Sequence, residues 1–232
     1  MPPTPRPMPP TRKPPPSLAT KKQPAQQRAT ETYERILDVT AQTLADVGIE
    51  RLSTNLVCER AGLSPPALYR YFPNKYALLS ELGRRLMKRQ NERVDHWITL
   101  EVFSGGVGAL EAALEGLILD TYEATVQTMG GVWIMRALRA VPALQQVRLD
   151  SHAAVTHEQA TLLAKALPGV SPAELVLVSR IVVELIYATV EMIFDEPLDV
   201  KAVARTVAGM LSSHLTRIRP GDGRAVESVR AP

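Results

Sequence analysis

The sequence is poor in cysteine and in aromatic residues. Cys58 is the only cysteine among 232 residues, which rules out an intrachain disulfide and a secreted, disulfide-rich scaffold. Phe, Trp and Tyr together make up 5% of the chain, and strand-like alternation is scarce. No run of about 18 apolar residues suggests a membrane span, and the basic N-terminus has no apolar signal-peptide core. We therefore expect a cytoplasmic, all-α protein with an aliphatic interior.

Patterns that indicate catalysis or metal binding are also missing. The four histidines are scattered, and none forms a metal-binding pair at helical spacing; they are His96, His152, His157 and His214. The chain has no Gly-rich phosphate loop, no nucleophile elbow and no His-Glu-x-x-His segment. We expect no metal, no cofactor and no enzymatic activity.

Charge is distributed unevenly along the chain. Residues 1–98 hold 16 Lys and Arg against 9 Asp and Glu, whereas residues 99–232 hold 11 against 15. This asymmetry favours a polyanion-binding module joined to a mildly acidic remainder. A basic tail explains part of the excess but not all of it, because residues 1–28 supply six of the 16 cations.

Two terminal segments are predicted to be tails. Residues 1–26 contain ten prolines and no acidic residue, which predicts a disordered segment of polyproline II character. Two interpretations stay open for it: added non-specific affinity for phosphate, or a solvated extension without function. Residues 218–232 are expected to form a flexible C-terminal tail.

Apolar residues at three- and four-residue steps predict helices in between. Gly62 suits a tight turn, Ser64 and Asn74 suit helix caps, and Pro65 suits a first helical turn. We place a helix-turn-helix domain at 27–75 and a larger helical domain at 76–217. The predicted helices span about 28–47, 54–61, 64–71, 74–98, 107–128, 131–141, 143–167, 172–194 and 198–217.

The segment between Gly48 and Lys75 carries the functional signal. Three short helices in about 45 residues, the last two joined by a Gly-containing turn, make a helix-turn-helix candidate. Val57, Leu63, Leu68 and Phe72 can anchor this unit to the first helix. The stretch Ala61-Gly62-Leu63-Ser64-Pro65-Pro66-Ala67-Leu68-Tyr69-Arg70-Tyr71-Phe72-Pro73-Asn74-Lys75 resembles the DNA-binding domain of the tetracycline-repressor (TetR) family. The resemblance covers about residues 30–82; the remainder matches only in helical pattern and length.

The resemblance implies a DNA-binding role for a defined set of residues. Thr54, Tyr69, Tyr71 and Lys75 would contact phosphates, Asn55 would contact a phosphate or a base, and Arg70 would read a guanine edge. The two tyrosines have an alternative reading as packing residues. At Pro65, Pro66 and Ala67 this sequence departs from family members that carry Gln, Lys or Thr there. Recognition of the base sequence would therefore also depend on contacts with thymine methyls and on DNA shape. The full set is Ser53, Thr54, Asn55, Ser64, Pro65, Pro66, Ala67, Tyr69, Arg70, Tyr71 and Lys75.

The two helices at 172–194 and 198–217 are strongly apolar. We predict a homodimer interface there, formed by Val178, Val182, Leu185, Ala208 and Leu211. The alternative is a helix buried within one chain. The polar stripe of Arg180, Glu184, Tyr187 and Glu191 is interpreted as solvent or interface rim, with a cavity lining as the alternative.

The resemblance also implies a small effector held among the middle helices. We expect an apolar or amphipathic ligand, although such side chains more often pack in a core than line a pocket. The candidate lining residues are Phe103, Leu119, Tyr122, Val126, Met129, Trp133 and Arg136.

The predicted function is a DNA-binding transcriptional regulator, a repressor released from its operator by the effector. Its partners would be double-stranded operator DNA and a second copy of the chain, with no membrane. Two other classes stay open: a small-molecule sensor that acts through a protein partner, and a helical enzyme with an incidental helix-turn-helix.

Overall fold

The computed structural model describes residues 16–21 and 27–218, and within these ranges it contains helices and no β-strand. This confirms the predicted all-α class. Ten α-helices follow one another: α1 (Gln27–Arg51), α2 (Thr54–Ala61), α3 (Pro65–Tyr69), α4 (Lys75–Trp97), α5 (Leu100–Ser104), α6 (Gly106–Val126), α7 (Gly131–Ala140), α8 (Gln145–Ala166), α9 (Pro172–Asp195) and α10 (Val200–Leu215). In the described part of the chain, none of them is long and apolar enough to cross a bilayer.

The nine predicted helices are present, and the structure adds two short elements. α5 and a 3₁₀ turn at Pro142–Leu144 were not predicted, because segments of three to five residues are too short to show a helical period. α3 ends at Tyr69 instead of continuing to Tyr71.

Side-chain caps fix several helix starts, as the sequence indicates. Ser53 Oγ accepts a hydrogen bond from the Leu56 amide at 3.2 Å, and Asn74 Oδ1 accepts one from Ala77 at 3.0 Å. Ser171 Oγ does the same for the Glu174 amide at the start of α9. Each cap satisfies an amide that has no partner within its helix, so these boundaries are set locally.

The helices form two units that share α4. In the first, α1, α2 and α3 pack around fully buried side chains, among them Ile36, Val57, Leu68 and Phe72. In the second, α6 packs against α10 and α8 against α9. α4 contacts α1 at one end of the molecule and α6, α7 and α8 at the other, so it connects the two units.

α7 also brings the two units together. Gly130, with φ of 67°, precedes α7 and lies directly against α1. A Cβ at this position would stand 2.7 Å from the carbonyl oxygen of Ala41, so only glycine permits this approach.

Residues 16–21 differ from the expected disordered tail, because they lie against the first unit. The Lys21 amide donates to the Tyr71 carbonyl at 2.8 Å, and Asn74 Nδ2 donates to the Ser17 carbonyl at 3.0 Å. Leu18 packs against the core. Polar groups around the α3–α4 turn thus bind the backbone of this short stretch. Residues 1–15 and 22–26 of the predicted tail, and residues 219–232 of the C-terminal tail, lie outside the described residues.

Candidate functional site

The turn between α2 and α3 depends on Gly62. Its φ of 60° and ψ of 40° are left-handed, and its amide donates to the Glu59 carbonyl at 3.2 Å. The Leu63 amide donates to the Cys58 carbonyl at 2.9 Å, which completes a tight C-terminal cap on α2. This turn sets the direction in which α3 leaves.

α3 is held by one side and open on the other. Leu68 is fully buried beneath it, whereas Pro65 and Pro66 are exposed at its first turn. Tyr69 is 39% exposed and Arg70 is exposed at its end. A short helix with one free face and a rigid support is the shape that enters a duplex groove.

The start of α2 and the end of α3 meet through a hydrogen bond. Thr54 Oγ1 and the Tyr69 hydroxyl lie 3.0 Å apart, so the predicted residues Thr54 and Tyr69 are brought together. Asn55 is exposed next to Thr54. The Ser53 hydroxyl accepts the capping bond at the start of α2, and Ser64 occupies the predicted N-cap position of α3 without a side-chain capping bond.

Tyr71 is not part of this surface, which corrects its predicted contact with phosphate. It is 5% exposed, and its ring meets Tyr33 edge-to-face at 5.9 Å between centroids. Because α3 ends at Tyr69, the next residues turn back toward the core, and the alternative reading of Tyr71 as a packing residue is the right one.

Lys75 is half-buried and binds the protein itself. Its Nζ donates to the carbonyls of Ile49 and Leu52 at 3.3 and 3.2 Å. The ammonium group therefore ties α4 to the junction of α1 and α2. An ammonium has three donors, so one remains for a phosphate.

Two further cations border this surface, and neither was singled out from the sequence. Arg51 is exposed at the end of α1, two residues before Ser53. Lys21 is exposed, and its amide binds the Tyr71 carbonyl just after α3. No sequence signal places Lys21 there, since the contact spans 50 residues of the chain.

A second site lies inside the larger unit. A narrow cavity of about 40 Å³ is enclosed by α4, α6, α8 and α9, with Phe103 of α5 and Leu215 at the end of α10. α4 contributes Val94, followed by Ile98 at its C-terminal end. α6 contributes Leu110, Leu114, Leu117 and Thr121, which form one inward stripe at steps of four, three and four.

Four polar side chains interrupt the apolar lining: Thr121, Gln159, Ser179 and Tyr187. The Tyr187 hydroxyl donates to Asn91 Oδ1 at 2.7 Å. Ser179 Oγ is buried and has no hydrogen-bond partner. None of the residues described as lining this cavity carries a charge.

Among the residues predicted to hold an effector, Phe103 lines this cavity and the other six do not. Leu119, Tyr122 and Val126 belong to a different stripe of α6, and Tyr122 stacks on Phe194 at 4.7 Å. Val126, Met129 and Trp133 are exposed. Arg136 pairs with Asp195 at 2.9 Å and lies over the Trp133 ring.

The predicted interface is corrected in the same way. Val178, Ala208 and Leu211 are buried within the chain itself, and Val182 lines the cavity. Leu185 alone lies on an exposed face of α9. That face carries Leu177, Ile181, Leu185, Ala188 and Met192 at steps of four, four, three and four.

A charged cluster lies beside the cavity. His152 Nδ1 is 2.9 Å from Glu184 Oε1, and Arg180 and Arg148 bind the same carboxylate at 2.5 and 3.4 Å. Burial lowers the pKa of His152, and the bond to Glu184 offsets this only in part. His152 stacks on Tyr187, which is buried; the prediction that this stripe faces solvent is therefore wrong for Tyr187.

Comparison with known proteins is consistent with this geometry. Residues 36–82 match the profile of the bacterial regulatory proteins of the tetR family. An HTH-type transcriptional regulator of Mycobacterium tuberculosis is 28% identical over 152 residues, which is 62% of this chain and 71% of that protein. The HTH-type transcriptional repressor KstR of Mycolicibacterium smegmatis is 38% identical over 77 residues, which is 33% of this chain and 35% of that one.

The fold extends the likeness beyond the matched segment. A tetR-family transcriptional regulator from Streptomyces coelicolor superposes with a TM-score of 0.58 at 18% identity, covering 84% of this chain and 92% of that one. The matched residues 36–82 contain α2, the Gly62 turn and α3, the elements that build the exposed surface described above. Residues 36–82 thus carry the sequence pattern of the tetR family of bacterial regulatory proteins, and the chain shares the fold of a solved regulator of that family.

Proposed function

We propose that the chain acts in the cytoplasm as a homodimeric repressor that binds operator DNA through α3 and is released by an apolar ligand. The observation that carries the DNA-binding part is the exposed face of α3, braced to α2 by the 3.0 Å contact of Thr54 and Tyr69. An exposed face that is fixed in position loses little conformational entropy when it enters the major groove.

In this arrangement, α2 and the ends of α3 hold the phosphates. Thr54, Asn55 and Tyr69 offer neutral donors at one end, and Lys75 offers its remaining N–H at the start of α4. These contacts set orientation and carry no sequence information by themselves.

Sequence would be read by the outer face of α3. Arg70 can pair bidentately with a guanine edge, and Pro65, Pro66 and the half-buried Ala67 can pack against thymine methyls. Few polar groups lie on this face, so the deformability of the operator contributes to specificity.

The exposed apolar face of α9 supports a dimer. Ile181 is 49% exposed and Leu185 45% exposed within a five-residue apolar stripe. A self-complementary helix pair across a two-fold axis covers such a stripe. The dimer would present two α3 helices to successive major grooves, about 34–36 Å apart.

Sedimentation equilibrium tests the dimer. Ile181→Glu should give a monomer, because a carboxylate at the centre of the stripe would be desolvated without a partner. Val126→Glu is the matched control, since Val126 has the same 49% exposure on α6. A dimeric Ile181→Glu protein would place the interface elsewhere.

α4 couples the two sites physically. Its first residue, Lys75, binds the carbonyls of Ile49 and Leu52 in the DNA-binding unit, and its last turns reach the cavity through Val94 and Ile98. Asn91 accepts the Tyr187 hydroxyl bond in the same region. A ligand that moves the C-terminal half of α4 therefore moves the DNA-binding unit as well.

The size of the cavity indicates that an effector requires a different conformation of the larger unit. At about 40 Å³ it is well below the ~150 Å³ of a cavity that holds benzene. An effector must therefore separate the surrounding helices, and it binds the separated conformation better than this one. A ligand with such differential affinity shifts the equilibrium between the two conformations.

The experiment that tests the function is selection of bound fragments from random DNA, followed by a titration at several salt concentrations. The proposal expects a two-fold symmetric site and an affinity that falls steeply with salt. Absence of any selected sequence, with the protein folded and dimeric, would contradict it and favour a sensor that acts through a protein partner.

A further inference from the structure

The cavity lining specifies the chemistry of its ligand, because its polar groups are few and one of them is unpaired. Ser179 is buried on α9, and its hydroxyl makes no hydrogen bond in the structure. A serine inside a helix commonly bonds the carbonyl four residues before it, but Ser179 does not. An unpaired buried hydroxyl is costly, and it can both donate to and accept from a ligand.

A second polar group without a hydrogen-bond partner, a side-chain amide, lies on the same cavity. Gln159 of α8 lines it, is half-buried and makes no hydrogen bond with the described residues. The Tyr187 hydroxyl, in contrast, already donates to Asn91. Thr121, Ser179 and Gln159 are therefore the lining groups available to a polar atom of the ligand, and all three are uncharged.

The neighbouring charged groups are paired through Glu184, and none of them lines the cavity, although His152 Nε2 and Arg148 Nε are buried without a hydrogen-bond partner. Glu184 accepts from Arg180 and Arg148 and lies 2.9 Å from His152 Nδ1. An ionised ligand would enter an apolar site without a counterion among the lining residues, and burial of an unpaired charge is strongly unfavourable.

We propose that this cavity binds an uncharged amphiphile: an alkyl or ring skeleton with a single hydroxyl or carbonyl oxygen that hydrogen-bonds to Ser179. Carboxylates and amines of the same skeleton are excluded. This inference rests on the proposed function, since the ligand is taken to be the effector that releases DNA.

The test uses the full chain and four ten-carbon probes in isothermal titration calorimetry at pH 7.5. The uncharged probes are 1-decanol and 2-decanone; the charged ones are decanoate and decylammonium. We expect the uncharged probes to bind at least tenfold more tightly. Ser179→Ala should weaken the uncharged probes about three- to tenfold through loss of one hydrogen bond.

Ser80→Ala is the matched control. Ser80 is also fully buried with an unpaired hydroxyl, but it lies on α4 outside the cavity. It should leave the affinity for all four probes unchanged. Equal affinity for decanoate, equal effects of the two serine variants, or no binding of either uncharged probe would each overturn the proposal.

Operator binding is measured separately, in the absence of any probe. If the chain binds its selected DNA but fails these ligand tests, the ligand class is wrong and the regulator function stands. If it binds the uncharged probes but no DNA, the repressor function is wrong.

Discussion

Two tyrosines two residues apart allow a sharp test of the DNA-binding surface. The sequence resemblance implies that the Tyr69 and Tyr71 phenols both contact phosphate, whereas the structure exposes Tyr69 and buries Tyr71. Tyr69→Phe should therefore weaken operator binding, and Tyr71→Phe should not. The substitution removes the same single oxygen in both variants, which makes each a control for the other.

The magnitude follows from the number of bonds lost. A hydrogen bond to a charged group contributes about 1.5–3 kcal/mol, and the lower value applies because the free Tyr69 hydroxyl already has Thr54 as a partner. A dimer carries two copies, so Tyr69→Phe should cost about 3 kcal/mol, roughly a hundredfold in affinity. The free energy of unfolding should change by less than about 1 kcal/mol, because the lost bond is exposed.

Fluorescence anisotropy with a labelled operator measures the affinity. Repeating the titration at several salt concentrations distinguishes the loss of a neutral phenol hydrogen bond from the loss of an ionic contact. Tyr69→Phe should leave the slope of log K against log salt unchanged, because no ion pair is removed. Lys75→Met should lower that slope by about two, at roughly 0.9 for the phosphate contact of each of the two copies. The reasoning is refuted if Tyr71→Phe weakens binding as much as Tyr69→Phe, or if neither variant has an effect.

Three further predictions concern the elements that hold the site. In urea titrations, Lys75→Met should lower the free energy of unfolding by about 1.5–3 kcal/mol, because two carbonyls lose a charged donor. The control variant Arg70→Met should leave the free energy of unfolding unchanged. Equal losses in the two variants would contradict the bracing role of Lys75. Gly130→Ala should destabilise by at least ~1–2 kcal/mol, because its left-handed backbone disfavours a side chain and its Cβ would meet α1. Gly108 of α6 has open space around it, so Gly108→Ala should not destabilise the protein in the same urea titrations. Burial lowers the pKa of His152, so the unfolded chain binds its proton first and stability should fall as the pH drops below about 6.5. His152→Gln should flatten this loss between pH 7 and pH 5.5 in pH-dependent urea titrations, and an identical pH profile would count against it.

Much of the DNA-binding unit could be predicted from the sequence, because its boundaries are set by neighbouring residues. Gly62 permits the left-handed turn, Pro65 fits the first turn of α3, and Asn74 caps α4. Each of these preferences acts within four residues along the chain, so the local pattern is sufficient to locate it.

The cavity and the exposed stripe of α9 could not be predicted in the same way. α6 and α9 are apolar on more than one face, and periodicity cannot say which face meets the chain's own helices. The sequence pattern thus predicts Leu119 and Tyr122 as pocket residues, whereas Leu117 and Thr121 line the cavity in the structure. It likewise predicts Val178 on the dimer face of α9, whereas Ile181 lies on the exposed face and Val178 is buried.

Local sequence thus determined where the helices begin and end and which short helix is free to meet DNA. The tertiary structure decided which faces of the helices are buried, the inward turn of Tyr71 and the isolation of Ser179. The physical reason is the separation of the interacting residues along the sequence. Caps and turns depend on hydrogen bonds within one helical turn, whereas burial depends on which helix, distant in sequence, packs against a given face.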